Sequence, residues 1–139
     1  MANVTDVEKA LLARFALLAY PYVSYPDGPE VIAPAGQTVY EIRSIITHGV
    51  AAALMANAAE RYEGFLQVNV LSPADGLGNS RALINVEAVM AQFKRGTTCT
   101  KNGVVVHCRT PKYVPVDHPN VAWYCIVVTV PWWADVFVA

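Results

Sequence analysis

Gly64-Phe65-Leu66-Gln67-Val68-Asn69-Val70-Leu71-Ser72-Pro73 leads through Ala74-Asp75-Gly76-Leu77-Gly78-Asn79 into Ser80-Arg81-Ala82-Leu83-Ile84-Asn85-Val86-Glu87-Ala88-Val89-Met90-Ala91-Gln92-Phe93-Lys94-Arg95-Gly96. Leu66, Val68 and Val70 alternate with Phe65, Gln67 and Asn69, the period of two expected of a strand with one face in a core. Ser72-Pro73 stops that strand, because proline cannot donate to the ladder. The Asp75–Gly78 loop turns the chain, and Asn79 or Ser80 can cap a helix. Leu83, Val86, Met90 and Phe93 then form one apolar stripe at helical spacing. Lys94 and Arg95 in the last turn complement the helix dipole, and Gly96 is placed to end the helix in a left-handed conformation.

Working outward toward the N-terminus, Val39 to Ile46 is β-rich, with Tyr40, Ile42, Ser44 and Ile46 on one face. Residues 49–59 are nearly all apolar and rich in alanine, which leaves two readings open. One is a short helix; the other is a protruding hairpin arm joining the two strands. Residues 21–38 carry four prolines and two glycines and read as an irregular surface connection. Thr5 and Glu8 have capping-box spacing, and Val7, Leu11, Phe15 and Leu18 mark one face of a first helix ending near Tyr20.

Toward the C-terminus, Thr97–Cys99 and Val104–Arg109 flank Lys101-Asn102-Gly103, and Asn-Gly is a strong hairpin signal. Residues 110–120 carry three prolines and read as a second long loop. The last strand is expected from Val121 to about Trp132. Trp123, Cys125 and Val127 face one way, and Tyr124, Ile126, Val128 and Val130 the other. Both faces are apolar, so it is expected to be a central strand covered on both sides. The sum is a single α+β domain, residues 1–139. Two helices pack on one face of a mainly antiparallel or mixed sheet of four to five strands, with a protruding hairpin arm.

The chain has 139 residues and a formal net charge of -1, which gives no electrostatic case for nucleic acid. Only 15% of residues are charged, against roughly 25% in an ordinary soluble domain, and 55% are hydrophobic. So small a domain cannot hide that much apolar area alone. Exposed apolar patches mark interfaces, so composition predicts an oligomer or an assembly component. The start of the chain shows no basic stretch followed by an apolar one, so no signal peptide is expected. The longest apolar run, Val121 to Val128, is too short to span a bilayer. Cys99, Cys108 and Cys125 have no metal-like spacing and are expected to be reduced thiols in a cytoplasmic setting.

The search for chemistry finds little. His48, His107 and His118 are scattered and form no helical metal pair. His107 and Cys108 are neighbours in a strand and point to opposite faces. With a two-residue Asn102-Gly103 turn, Cys99 lies opposite Val106 and diagonal to Cys108, which disfavours a disulfide. The Asp75–Gly78 turn has no phosphate-binding glycine pattern. No nucleophile with a visible base emerges, so neither catalysis nor a cofactor or metal is expected. Trp132 and Trp133 read equally as a core plug or an interface anchor.

The order of these pieces carries a resemblance. A first helix leads through Pro34-Ala35-Gly36 into Tyr40-Glu41-Ile42-Arg43. Then come Tyr62-Glu63-Gly64 to Val70 with Pro73, and a helix ending Phe93-Lys94-Arg95-Gly96-Thr97. Trp123, alternating valines, Pro131 and Ala134-Asp135 close the chain. Nearly the whole chain resembles the tail terminator-like proteins of long-tailed, siphovirus-type bacteriophages. Its Trp132-Trp133 ending is more aromatic than that family pattern, and residues 50–59 are more apolar.

The resemblance implies a structural role in the virion tail and neck, reached from the host cytoplasm during assembly. It implies a homo-oligomeric ring, a hexamer, that caps the tail tube, stops its polymerisation and offers a docking surface for the head-side connector. The implied partners are the major tail tube protein and the connector or stopper protein. DNA can cross such a ring without sequence-specific binding, and no membrane is involved. Leu54, Met55, Lys101, Asn102, Arg81, Lys94, Arg95, Trp132 and Trp133 are the expected contact residues. For the three of these that are Arg81, Lys94 and Arg95, plain surface solvation is the equal alternative. Another neck or tail-completion protein, or a small cytoplasmic dimeric enzyme of α+β fold, are the competing functions.

Overall fold

Alternation and helical spacing become two helices and seven strands among the described residues of the computed structural model. It describes residues 4–26, 28–29, 31–34, 36–51, 59–73, 80–116 and 123–137. The order is α1 (Val4–Ala16), β1 (Val23–Ser24), β2 (Val39–Ala51), β3 (Ala59–Pro73), α2 (Ser80–Gln92), β4 (Thr98–Lys101), β5 (Val104–Cys108), β6 (Lys112–Val116) and β7 (Trp123–Phe137). The strands form one sheet in the order β1-β2-β3-β7-β5-β4, with β6 also paired to β7. Among the described residues, only the β1–β2 pair is parallel.

Leu66, Val68 and Val70 of β3 stand opposite Val130, Val128 and Ile126 of β7. All six are buried, together with Tyr40 and Ile42 of β2. Both helices cover this face. α1 packs mainly on β4 and β5, and α2 on β7 and β3. Val7, Ala10, Leu11 and Phe15 of α1, with Ala82, Val86 and Val89 of α2, complete the core. The buried stripe of α2 is thus rotated by one position from the one expected. Leu83 and Met90 lie at its edge, while Phe93 is fully buried.

The sheet has seven strands rather than four to five. The two extra strands lie in the proline-bearing stretches read as loops. β1 is only two residues long and docks through the Tyr40 N–H, which donates to the Tyr22 carbonyl at 3.0 Å. β6 contains Pro115, which a margin strand tolerates because one of its edges needs no donor. β7 also runs past Pro131. That carbonyl accepts the Arg109 N–H at 2.7 Å, at the point where β7 passes from pairing with β6 to pairing with β5. A residue's N and carbonyl point the same way in a strand, so the donor that Pro131 lacks falls in that gap.

Residues 49–51 and 59–60 are paired strand rather than helix, so β2 and β3 are one long hairpin. Its connection, residues 52–58, lies outside the described residues. α1 ends at Ala16, four residues before Tyr20, and Ala19 turns the chain at φ 55°. The helix begins at Val4, so Thr5 lies in its first turn and not at the cap. Asn102 and Gly103 have φ of 50° and 82°, the left-handed pair of the expected tight turn. Cys99 is opposite Val106 as the spacing predicts, and Gly96 has φ 88°.

Candidate assembly interface

The helices leave the other face of the sheet without a covering layer among the described residues. Trp123, Cys125 and Val127 of β7 are therefore half-buried there, not covered on both sides as their apolarity suggested. Polar groups are hydrogen-bonded along and across the strands of this face. Arg43 donates to Gln67 at 3.3 Å, and Gln67 donates to Asn69 at 3.0 Å. Further along, Arg61 makes a two-pronged ion pair with Asp135 at 2.8 and 2.9 Å. Its guanidinium holds the Asp135 carboxyl below the usual carboxylate range. Arg109 reaches Glu63 at 3.1 Å.

Trp132 and Trp133 separate by strand alternation. Trp132 points to the helices and is fully buried, so it plugs the core of the subunit and does not serve as a contact residue. It lies opposite Gly64. A Cβ on Gly64 would collide with the Ile45 carbonyl and come within 2.8 Å of the Trp132 ring. Trp133 lies on the open face, half-buried. His107 stacks on it at 4.0 Å with the rings 12° apart. Arg61 lies 4.3 Å from its ring centre, reaching it from the strand on the other side.

The other expected contact residues are dispersed. Leu54 and Met55 lie outside the described residues. Lys101 is exposed at the hairpin tip. Asn102 has an internal task, because its amide donates to the buried Asp6 at 2.9 Å and ties the tip to α1. Arg81 donates to the Gly36 carbonyl at 3.0 Å. Lys94 and Arg95 are exposed just past α2. The free thiols of Cys99 and Cys108 are buried. Hydrogen bonding to Cys99, together with burial, pushes the Cys108 thiol up and keeps it neutral. No helix among the described residues is long and apolar enough to cross a membrane.

Sequence reading missed the apolar margin. Tyr113, Val114 and Val116 of β6 are 47%, 59% and 46% exposed, and Ile46 of β2 is 45% exposed. The alternation of valines around Pro115 was the available signal. Among the described residues, nothing pairs with the outer edge of β2 beyond the two positions that β1 covers. A long strand edge of low charge is a template for further pairing.

A family model described as phage tail terminator protein matches residues 6–132. None of the curated proteins matches the chain. One solved chain, which carries no functional description, shares the fold with a TM-score of 0.67 and 19% sequence identity. That match covers 94% of this chain and 93% of the other.

Proposed function

The chain belongs to the phage tail terminator family, and from that membership we propose that it forms a hexameric ring capping the tail tube. As a member it is a structural protein of the virion tail that acts in virion assembly. In the proposed role the ring stops polymerisation of the tube protein and presents a docking surface to the head-side connector. Its partners are further copies of itself, the major tail tube protein and the connector. DNA crosses its channel without sequence-specific contacts, and assembly takes place in the host cytoplasm.

The observation that carries this reading is the family match along residues 6–132. A cyclic ring needs two different patches per subunit, one meeting the other on the next copy. The outer edge of β2 and the exposed residues of β6 lie on opposite margins of one sheet and suit that need. The low charge of the chain supports it as well.

The test is class averaging of negatively stained protein, alone and with tail tubes, for the natural chain and for Ile46→Asp and Val114→Asp. Six-fold rings or capped tube ends, lost in the two variants, are expected. Monomers or two-fold dimers that ignore the tubes would overturn the reading. Cys125→Ala and His107→Ala should leave assembly intact.

A further inference from the structure

At the step where β7 exchanges β6 for β5, the open face carries a groove of about 760 Å³. Arg95, Arg109, Lys112, His107, Trp133 and Pro131 are among the residues lining it. Backbone hydrogen bonds bring its cations together from three segments. The Gly96 N–H donates to the Cys108 carbonyl at 3.0 Å and the Cys108 N–H to the Thr97 carbonyl at 2.9 Å, which fixes Arg95 beside the end of β5. The Arg109 N–H donates to the Pro131 carbonyl, and Lys112 opens β6 opposite Thr129.

Three of the chain's ten lysines and arginines therefore converge here, although the whole chain is slightly acidic. No Asp or Glu is among the described lining residues. Arg109 is shared with Glu63, but Arg95 and Lys112 are exposed cations facing the same space. Arg95 and Lys112, like charges with no carboxylate partner among the described residues, are complementary to an anion from outside.

We propose that this groove binds an acidic peptide segment of a partner protein through carboxylates paired with Arg95, Lys112 and Arg109. The size fits a few residues of peptide. Single-stranded nucleic acid fits less well, because it is held by stacking bases on open aromatic rings. Trp133 already stacks on His107 and carries Arg61, so it offers no base a free platform. The proposal rests on the groove alone and stands apart from the ring reading.

The test is fluorescence anisotropy of labelled octaglutamate with the full chain at low and physiological salt. Octaglutamine and octathymidylate are the comparison probes. Octaglutamate should bind, weaken as salt rises, and lose about tenfold in affinity in the Arg95→Glu, Lys112→Glu double variant. Lys94→Glu makes half that charge change at an exposed site outside the lining and should weaken binding by less than about threefold. Arg95→Gln, Lys112→Gln repeats the test if the double reversal fails to fold. Octaglutamate that does not bind overturns the proposal. So does equal weakening by Lys94→Glu, or octathymidylate binding as tightly. A changed oligomeric state of the double variant in sedimentation would also overturn it, by assigning the groove to a second copy. Ring formation is read separately by microscopy, so either idea can fail without the other.

Discussion

Gly64 shows how much one side chain can decide. It stands between the Ile45 carbonyl and the ring of the buried Trp132. Gly64→Ala is expected to cost about 3 kcal/mol, the upper part of the overpacking range, because backbone cannot move aside as a flexible side chain can. Urea denaturation measures it, and an unchanged midpoint would contradict the packing described. Asn102 holds a left-handed turn and donates to Asp6. Asn102→Ala should cost about 1–2 kcal/mol, and Asn102→Gly less, since glycine keeps the turn and loses only the hydrogen bond. Asp135 is held below the usual carboxylate range, first by hydrogen bonding to Arg61. A depressed value in the fold stabilises above the unfolded pKa, near 4, and that contribution is lost as pH falls through the folded value. The side chains of Arg61 and Asp135 are 40% and 29% exposed, so Asp135→Asn should cost less than about 1 kcal/mol at neutral pH. The gap between variant and parent should close below about pH 4 in pH-dependent denaturation.

At the scale of elements, α2 tests which face of the helix is buried. Val86 is fully buried, whereas Ile84 is 65% exposed. Val86→Ala should cost about 2 kcal/mol, and Ile84→Ala less than about 0.5 kcal/mol, in parallel thermal melts. The margins behave differently. Val114 on β6 is 59% exposed, so Val114→Asp should barely shift the melting temperature while weakening self-association in sedimentation. A large loss of stability would instead make β6 part of the subunit's own framework. Both helices and the long strands were legible because each repeats its period over several residues. β1 was not, because two residues carry no period. β6 was not, because its proline signals a loop wherever the neighbouring strand is unknown.

For the whole molecule, the decisive feature is one sheet with helices on a single face. Composition anticipated the outcome: a chain with 15% charged residues retains apolar side chains outside its core. Where they lie was not legible. Leu54 and Met55 fall outside the described residues, Trp132 is internal, and Asn102 is engaged with Asp6. Of the expected contact set, Lys101, Lys94, Arg95, Trp133 and Arg81, the last also bonded to the Gly36 carbonyl, lie at the surface. Arg95 and Trp133 meet at the groove although they are far apart in the chain.

The sequence by itself determined what depends on neighbours along the chain. It fixed the alternation of β3 and β7, the helical stripes, the left-handed Asn102-Gly103 and Gly96, the register that sets Cys99 opposite Val106, and, through their order, the family. Only the tertiary structure decided what depends on neighbours across space. Strand pairing sent Trp132 inward over Gly64 and Trp133 outward between His107 and Arg61. The handover at Pro131 gathered Arg95, Arg109 and Lys112. Local periods specify a face, but which residues meet on it depends on long-range backbone pairing that no short window of sequence contains.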